Sequence, residues 1–175
     1  FFTTQKFLGR KIKVNNQNLS TSWLVFYWGI ARDFPSLLLH NIIFTSDYKR
    51  EFEEILKKKL IRDPSIYINI SSKMDKSHAP DGCENWFVMI NLPADLNAIN
   101  DVMVKKLRNV IINKISAYLK INIEPLIRVE EMLTPIDVQN RTGSYNGSLY
   151  GENQNSFAAI SVSYTHLRAH ETYRD

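Results

Sequence analysis

A cysteine and two histidines are the side chains of this sequence that most readily supply a nucleophile or a base. His78 and Cys83 lie close together in the chain, and His40 lies upstream of both. A thiol beside an imidazole can act as a nucleophile where a third group orients the imidazole. The sequence marks neither such a group nor an oxyanion hole near this pair. We therefore interpret these residues as structural, and we assign no catalytic residue and no metal ligand.

The most unusual chemical feature is a run of aromatic residues within the segment 21–31. Trp23, Phe26, Tyr27 and Trp28 stand on what we predict to be one strand. Side chains alternate across a strand, so this strand is apolar on both faces. Either these rings are ordinary core, or one face lines a site for a long apolar ligand, because such sites are rich in aromatic residues. On the second interpretation all four are candidate substrate contacts. Tyr27 and Trp28 lie on opposite faces, so only one of them can line the site.

Alternating and helical periodicities predict the elements that position this strand. Further strands are predicted at 41–44, 66–71, 84–92 and 127–132. Helices are predicted at 47–59, at 100–119 and from Thr134 to about Gly143, the first capped by Ser46. This order predicts an α+β fold, in which helices pack on one side of a mixed or antiparallel sheet. The glycines from Gly143 to Gly151 do not have the spacing of a phosphate-binding loop and are interpreted as turns.

Charge and composition exclude several classes of function for this protein. The 175 residues carry 22 Lys and Arg against 18 Asp and Glu, a net charge of +4. The basic residues fall on the outer faces and ends of predicted helices, without interleaved aromatic residues, so we expect no nucleic-acid partner. A single cysteine excludes a disulfide framework. The apolar runs are too short for a membrane span.

The last fourteen residues require separate treatment. Residues 162–172 match one reading frame of a widely used transposon sequencing adapter. We therefore predict that residues 1–161 are the evolved segment and that residues 162–175 are translated adapter, the alternative being a genuine short amphipathic helix. His166 and His170 lie in this tail, so no metal or catalytic role is assigned to them.

Seven sequence blocks occur in a fixed order and with consistent spacing over essentially everything before the tail. The blocks are Ser20 to Ile30, Leu39 to Phe44, Asp47 to Phe52, Asp63 to Tyr67, Ser71 to Lys73, Ala79 to Ile90 and Gly143 to Gly151. Together they resemble the blocks of the carotenoid (phytoene) desaturase family. The sequences of the aromatic strand and of the strand at 84–92 are most similar to the bacterial hydroxycarotenoid 3,4-desaturase branch.

The resemblance implies an FAD-dependent oxidoreductase with a flavin amine-oxidase-like fold, which removes hydrogen from a carotenoid polyene. It implies that this chain is an internal or C-terminal fragment carrying the apolar substrate side and inactive alone. The main FAD-binding motifs are absent from the chain, while Ser148, Tyr150 and Gly151 are implied to contact FAD in the complete protein. The family's residues proposed to handle protons lie upstream, so no catalytic residue is transferred to this chain.

The resemblance also implies partners and a location. We expect a carotenoid substrate, the rest of the same polypeptide and a peripheral contact with a membrane surface, in the cytoplasm. The competing hypothesis is a free-standing module that binds an apolar ligand or a partner and uses no flavin. The DNA sequence upstream of Phe1 separates these hypotheses, because a desaturase must encode a strand followed by a Gly-x-Gly-x-x-Gly turn.

Overall fold

The computed structural model describes residues 21–59, 61–96 and 99–148 of the chain. In these ranges five strands form one sheet, and three α-helices accompany it. Short 3₁₀ turns connect several of these elements. In chain order the elements are β1 (Ser22–Ile30), β2 (His40–Ile43), α1 (Tyr48–Leu56), β3 (Ile66–Asn69), β4 (Glu84–Leu92), α2 (Asp101–Leu119), β5 (Ile127–Leu133) and α3 (Pro135–Thr142).

The sheet is antiparallel, with the strand order β2-β3-β4-β1-β5. The aromatic strand β1 is an interior strand and pairs with β4 along its whole length, from Ser22 opposite Leu92 to Ile30 opposite Glu84. The other neighbour of β1 is β5, where Tyr27 lies opposite Glu131. The predicted α+β class and the antiparallel sheet are confirmed.

One face of the sheet is packed against α2 and forms the hydrophobic core. Leu24, Phe26, Trp28 and Ile30 of β1 all point to this face and are almost completely buried. Apolar side chains of α2 at three- and four-residue spacing, among them Leu107, Ile111 and Ile115, cover them. Burial of each large apolar side chain contributes roughly 1.5–3 kcal/mol, so this face accounts for much of the stability of the domain.

Helix α1 differs in detail from the prediction. Its N-cap is Asp47, which accepts a hydrogen bond from the Arg50 amide, and it ends at Leu56 rather than near residue 59. The predicted cap, Ser46, is engaged elsewhere, because its amide and hydroxyl both donate to Asp63. The local sequence favours Ser46 as the cap, but its hydrogen bonds to the Asp63 carboxylate keep it from capping the helix.

Helix α3 begins and ends as its sequence predicts. Thr134 and Asp137 form a reciprocal capping box, and Gly143 closes the helix in the left-handed conformation with φ of 72°. Gly147 has φ of 68°, and a Cβ there would lie 2.6 Å from the Pro135 carbonyl oxygen. Turns are therefore confirmed at Gly143 and Gly147, whereas Gly151 lies outside the described residues.

No helix in the described ranges is both long enough and apolar enough to cross a bilayer. The predicted adapter tail, residues 162–175, lies outside the described residues, as does the segment 1–20.

Candidate functional site

The face of the sheet opposite α2, here called the open face, carries a row of aromatic rings. Tyr27 on β1 contacts Phe87 on β4 edge-to-face, with ring centroids 5.5 Å apart. Phe87 in turn contacts Tyr67 on β3 at 6.2 Å, and Tyr67 stacks on His40 of β2 at 6.1 Å. Four rings from four neighbouring strands therefore form one continuous strip, called the aromatic row below. Tyr27 is 44% exposed, and Phe87 and Tyr67 are half-buried, so the row presents ring surface outward.

A polar cluster lies at the β2 end of the aromatic row. His40 Nδ1 lies 2.8 Å from the Tyr67 hydroxyl and 3.2 Å from Asn69 Nδ2. Asn69 Nδ2 also donates to the Leu39 carbonyl at 3.3 Å. His40 and Asn69 are directly paired across β2 and β3, which brings these residues together.

A cavity of about 310 Å³ lies where α3 meets the open face. Trp23 and Leu133 supply the sheet wall and Val138 supplies the helix wall, while polar groups come from Arg141 and Ser148 among others. The indole Nε1 of Trp23 is buried and has no hydrogen-bond partner in the part of the chain that the structure describes. A buried donor without a partner is costly, so an unpaired indole N–H at a cavity wall calls for an explanation.

The structure separates the four aromatic residues predicted to contact substrate. Phe26 and Trp28 lie on the α2 side, stacked on each other at 5.4 Å, and Trp28 Nε1 donates to Glu130 at 2.7 Å. Neither has surface to offer a ligand. Tyr27 belongs to the aromatic row, and Trp23 lines the cavity beside α3. Substrate contact therefore stays a prediction for Tyr27 and Trp23.

The residues predicted to contact FAD are placed only in part. Ser148 is buried and lines the same cavity as Trp23, so the structure brings together one predicted substrate residue and one predicted cofactor residue. Tyr150 and Gly151 lie outside the described residues. The pairing of Ser148 with Trp23 was not visible in the sequence, since more than a hundred residues separate them.

Charged networks fix the ends of the sheet rather than forming a reactive site. Buried Glu84 accepts hydrogen bonds from Trp86 Nε1 at 2.7 Å and from the Phe34 amide at 3.0 Å, and it also pairs with Lys73. Partial burial of Lys73 opposes its charge, but the hydrogen bonds to Glu84 and Asp33 outweigh this and raise the pKa of Lys73. The network thus holds together the segments that flank β1 and β4.

The residues first considered for nucleophilic or metal chemistry remain apart from the aromatic row, except for His40. His78 Nδ1 pairs with the Ser71 hydroxyl at 2.9 Å, and Cys83 is a half-buried free thiol. Residues 21–59, 61–96 and 99–148 contain no group of three or more His, Cys, Asp or Glu residues that could hold a metal ion.

Sequence reasoning did not identify Phe87, Tyr67 and Asn69 as site residues. The signal was present, because Tyr67 and Asn69 alternate with isoleucines that were recognised as core. What the sequence lacked was the register that aligns them with Tyr27 and His40.

Comparison with known proteins gives one consistent answer. The chain is 49% identical over 150 residues to a 1-hydroxycarotenoid 3,4-desaturase from Flavobacterium sp. (strain P99-3), a match that covers 85% of this chain and 31% of that protein. It is 29% identical over 134 residues to a 4,4'-diaponeurosporene oxygenase from Staphylococcus haemolyticus, covering 75% of this chain and 27% of that protein. It is 27% identical over 160 residues to a phytoene desaturase from Fusarium fujikuroi, covering 79% and 28% respectively. No family model matches the chain.

These relatives also indicate what the chain represents. It spans less than a third of the length of each of these three proteins. The matches cover most of the described sheet and agree with the resemblance found in the sequence blocks. The chain therefore represents one segment of a longer protein and belongs to the carotenoid desaturase family.

Proposed function

We propose that the complete protein is an FAD-dependent oxidoreductase that desaturates a carotenoid, and that this segment forms the apolar wall against which the polyene lies. The observation that carries the proposal is the aromatic row on the open face. Helix α2 and the aliphatic side chains beneath it already fill the core on the other face of the sheet. The rings of Tyr27, Phe87 and Tyr67 are therefore not needed to pack the core. Flat ring surface suits a rigid conjugated chain.

The open face leaves apolar ring surface in contact with water, which costs free energy. Exposed large apolar surface is unfavourable in water, and contiguous apolar patches of this kind mark binding sites. Met89 and Ile42 flank the aromatic row on the same face, because both are paired with Tyr67 across the sheet. A polyene lying along this face would shield the rings from water and would be held in a dry environment. This segment would thus bind and orient the substrate.

We propose that FAD is the cofactor of the complete protein and that the cavity beside α3 receives one part of it. Its volume is at the lower end for a small-molecule site, so it fits a portion of a dinucleotide and not the whole. The unpaired Trp23 Nε1 and the Ser148 side chain are the groups that would hold that part. When bound, FAD supplies the chemistry of accepting the hydrogen removed from the polyene. The residues of this chain would exclude water from the reacting polyene.

We also propose that the protein acts at the cytoplasmic surface of a membrane, with α1 as a contact. The side chains of Tyr48, Phe52 and Leu56 form one stripe of α1 and are 66%, 42% and 60% exposed. Ile55 of the same helix is buried, so α1 contacts the rest of the domain through a neighbouring side. Exposed Lys49 on the same helix would favour an anionic lipid surface. Flotation of the full-length protein with anionic and neutral vesicles tests this proposal.

Expression of the full-length protein with a carotenoid tests the proposed function. Each added conjugated double bond moves the absorption of the polyene to longer wavelength, so the product is read directly from its spectrum. We expect flavin absorbance in the purified protein and conversion of the polyene. A flavin-free protein that binds the polyene without converting it would instead support the apolar-ligand module.

The source DNA gives an independent test that needs no protein. We propose that it encodes a Gly-x-Gly-x-x-Gly turn upstream of Phe1, and that the natural sequence departs from residues 162–175. An upstream frame without such a turn would contradict the flavin proposal, and a genomic match to the tail would contradict the adapter interpretation.

A further inference from the structure

We propose that Tyr67 and His40 form a proton-transfer pair at the end of the aromatic row. The Tyr67 hydroxyl takes up the proton that the polyene loses, and it passes its own proton to His40 Nδ1. This inference rests on the proposed function, because it assigns residues to the desaturation reaction. Neither residue was predicted from the sequence to transfer a proton. The family resemblance implies proton-handling residues upstream of this chain, and the pair would be an addition to them.

The hydrogen bonds around the imidazole determine its tautomer. Asn69 Nδ2 donates to the Leu39 carbonyl, which fixes the orientation of the amide with its nitrogen toward β2. Its second hydrogen then points to His40 Nδ1, 3.2 Å away, so Nδ1 must accept. The Tyr67 hydroxyl, 2.8 Å away, donates to the same nitrogen. By this assignment from the network, the imidazole is neutral and carries its proton on Nε2.

In this arrangement the Tyr67 hydroxyl can accept one proton and give up another in the same step. Its hydrogen lies on the bond to His40 Nδ1, and its oxygen has no other recorded partner in the described ranges, so a lone pair is free to accept. A tyrosine hydroxyl alone is a weak base. Because the proton moves on to His40, the products are a neutral tyrosine and an imidazolium, which forms readily near neutral pH.

Desaturation breaks two C–H bonds on neighbouring carbons of the polyene. One hydrogen leaves as hydride, with both electrons of its bond, to a two-electron acceptor, which the proposed function supplies as oxidised flavin. The other hydrogen leaves as a proton to the Tyr67 oxygen, and the electron pair of its bond forms the new C=C bond. Loss of hydride leaves a positive charge on the polyene, which makes the neighbouring C–H acidic enough for this pair to deprotonate.

The position of the pair fits both the uptake and the release of the proton. The aromatic row runs from Tyr27 through Phe87 to Tyr67 and ends at His40, so a polyene that follows these rings reaches the Tyr67 hydroxyl. Tyr67 is half-buried, whereas His40 is exposed. Asn69 Nδ2 donates to Nδ1 and thus opposes retention of a proton there. The proton is therefore taken up at an apolar surface and released to water through His40.

Chemical rescue in the full-length, flavin-loaded protein tests the inference. The variants are Tyr67→Phe, which keeps the ring and removes the hydroxyl, and His40→Ala, which opens space for free imidazole. The matched control is His78→Ala, which removes an exposed histidine that pairs with the Ser71 hydroxyl away from the row. For each protein, kcat and the affinity for the polyene are measured with and without imidazole in solution. The flavin content and the circular dichroism spectrum report whether each variant is folded.

We expect each variant of the pair to lose about a hundredfold in kcat, with little change in affinity for the polyene. Imidazole should restore turnover to His40→Ala but not to Tyr67→Phe, because only the first lacks an imidazole. His78→Ala should behave as the unaltered protein does. Undiminished turnover in either variant of the pair, or a loss in His40→Ala that imidazole does not reverse, would overturn the inference and leave the desaturase proposal intact. An unaltered protein that converts no polyene would overturn the proposed function, and this inference with it.

Discussion

The clearest contrast in the sheet lies between Trp28 and Tyr27, neighbours on β1 that point to opposite faces. Trp28 is 1% exposed, is stacked on Phe26 and donates to Glu130, whereas Tyr27 is 44% exposed and contacts Phe87 by its edge. Replacement of Trp28 by alanine opens a large cavity in the α2-facing core. By comparison with other core aromatic truncations, the free energy of unfolding should fall by about 3–5 kcal/mol.

Replacement of Tyr27 by alanine should have a much smaller effect on stability. It removes one edge-to-face contact, worth about 0.5–1.5 kcal/mol, and part of a half-exposed ring. The effect on turnover should be the reverse, because Tyr27 belongs to the proposed polyene wall. We expect the Tyr27→Ala protein to remain folded and to convert the carotenoid slowly or to a changed product.

Urea unfolding of the full-length protein, followed by circular dichroism, measures both effects on stability. With a slope of about 2 kcal/mol per molar urea, Trp28→Ala should lower the midpoint of the affected transition by about 2 M and Tyr27→Ala by about 0.5 M. Tyr27→Phe is the control that keeps the ring. Equal midpoint shifts for the two alanine variants, together with normal turnover by folded Tyr27→Ala protein, would refute the assignment of the two faces.

Two further predictions concern the surroundings of the site. Gly147→Ala should destabilise the turn that carries Ser148 by more than the roughly 1–2 kcal/mol expected for a left-handed alanine, because the new Cβ would meet the Pro135 carbonyl oxygen. The control is Gly82→Ala, since Gly82 has φ of 72° and open space around it. Equal urea midpoints for the two variants would contradict the close contact at Gly147. Partial burial opposes the charge of Asp63, but hydrogen bonds from Lys114, Ser46 and Thr45 outweigh it and hold the pKa of that carboxyl well below its ordinary value. Its stabilisation is therefore fully present above pH 4 or so and is lost as the pH falls toward the folded-state pKa. The urea midpoint of Asp63→Asn should therefore be lower than that of the unaltered protein at pH 7, and the difference between the two midpoints should shrink in acid. A difference that does not change with pH would show that the charge of Asp63 contributes nothing to stability.

Local patterns predicted the elements of this fold well. The bounds of β4 match the prediction, and those of α2 differ by one residue, because both segments are long and strongly periodic. The capping box of α3 was also predictable, since all its hydrogen bonds are local. Errors arose where a distant group competes with a local one. Asp63, which lies beyond the end of α1 in the chain, binds Ser46, and Asp47 caps the helix instead.

The site was less predictable because it depends on register between strands. The sequence showed that β1 is apolar on both faces, but the choice between Tyr27 and Trp28 depends on which face α2 covers. The aromatic row and the polar cluster join residues of four strands, and no spacing along the chain reveals that alignment.

A structure of the full-length protein with a carotenoid bound tests the central claim most directly. We expect the polyene to lie on the open face, with its conjugated chain in van der Waals contact with the rings of Tyr27 and Phe87, at about 3.5–4 Å. A polyene bound elsewhere, with the aromatic row covered by another segment of the same polypeptide, would contradict it.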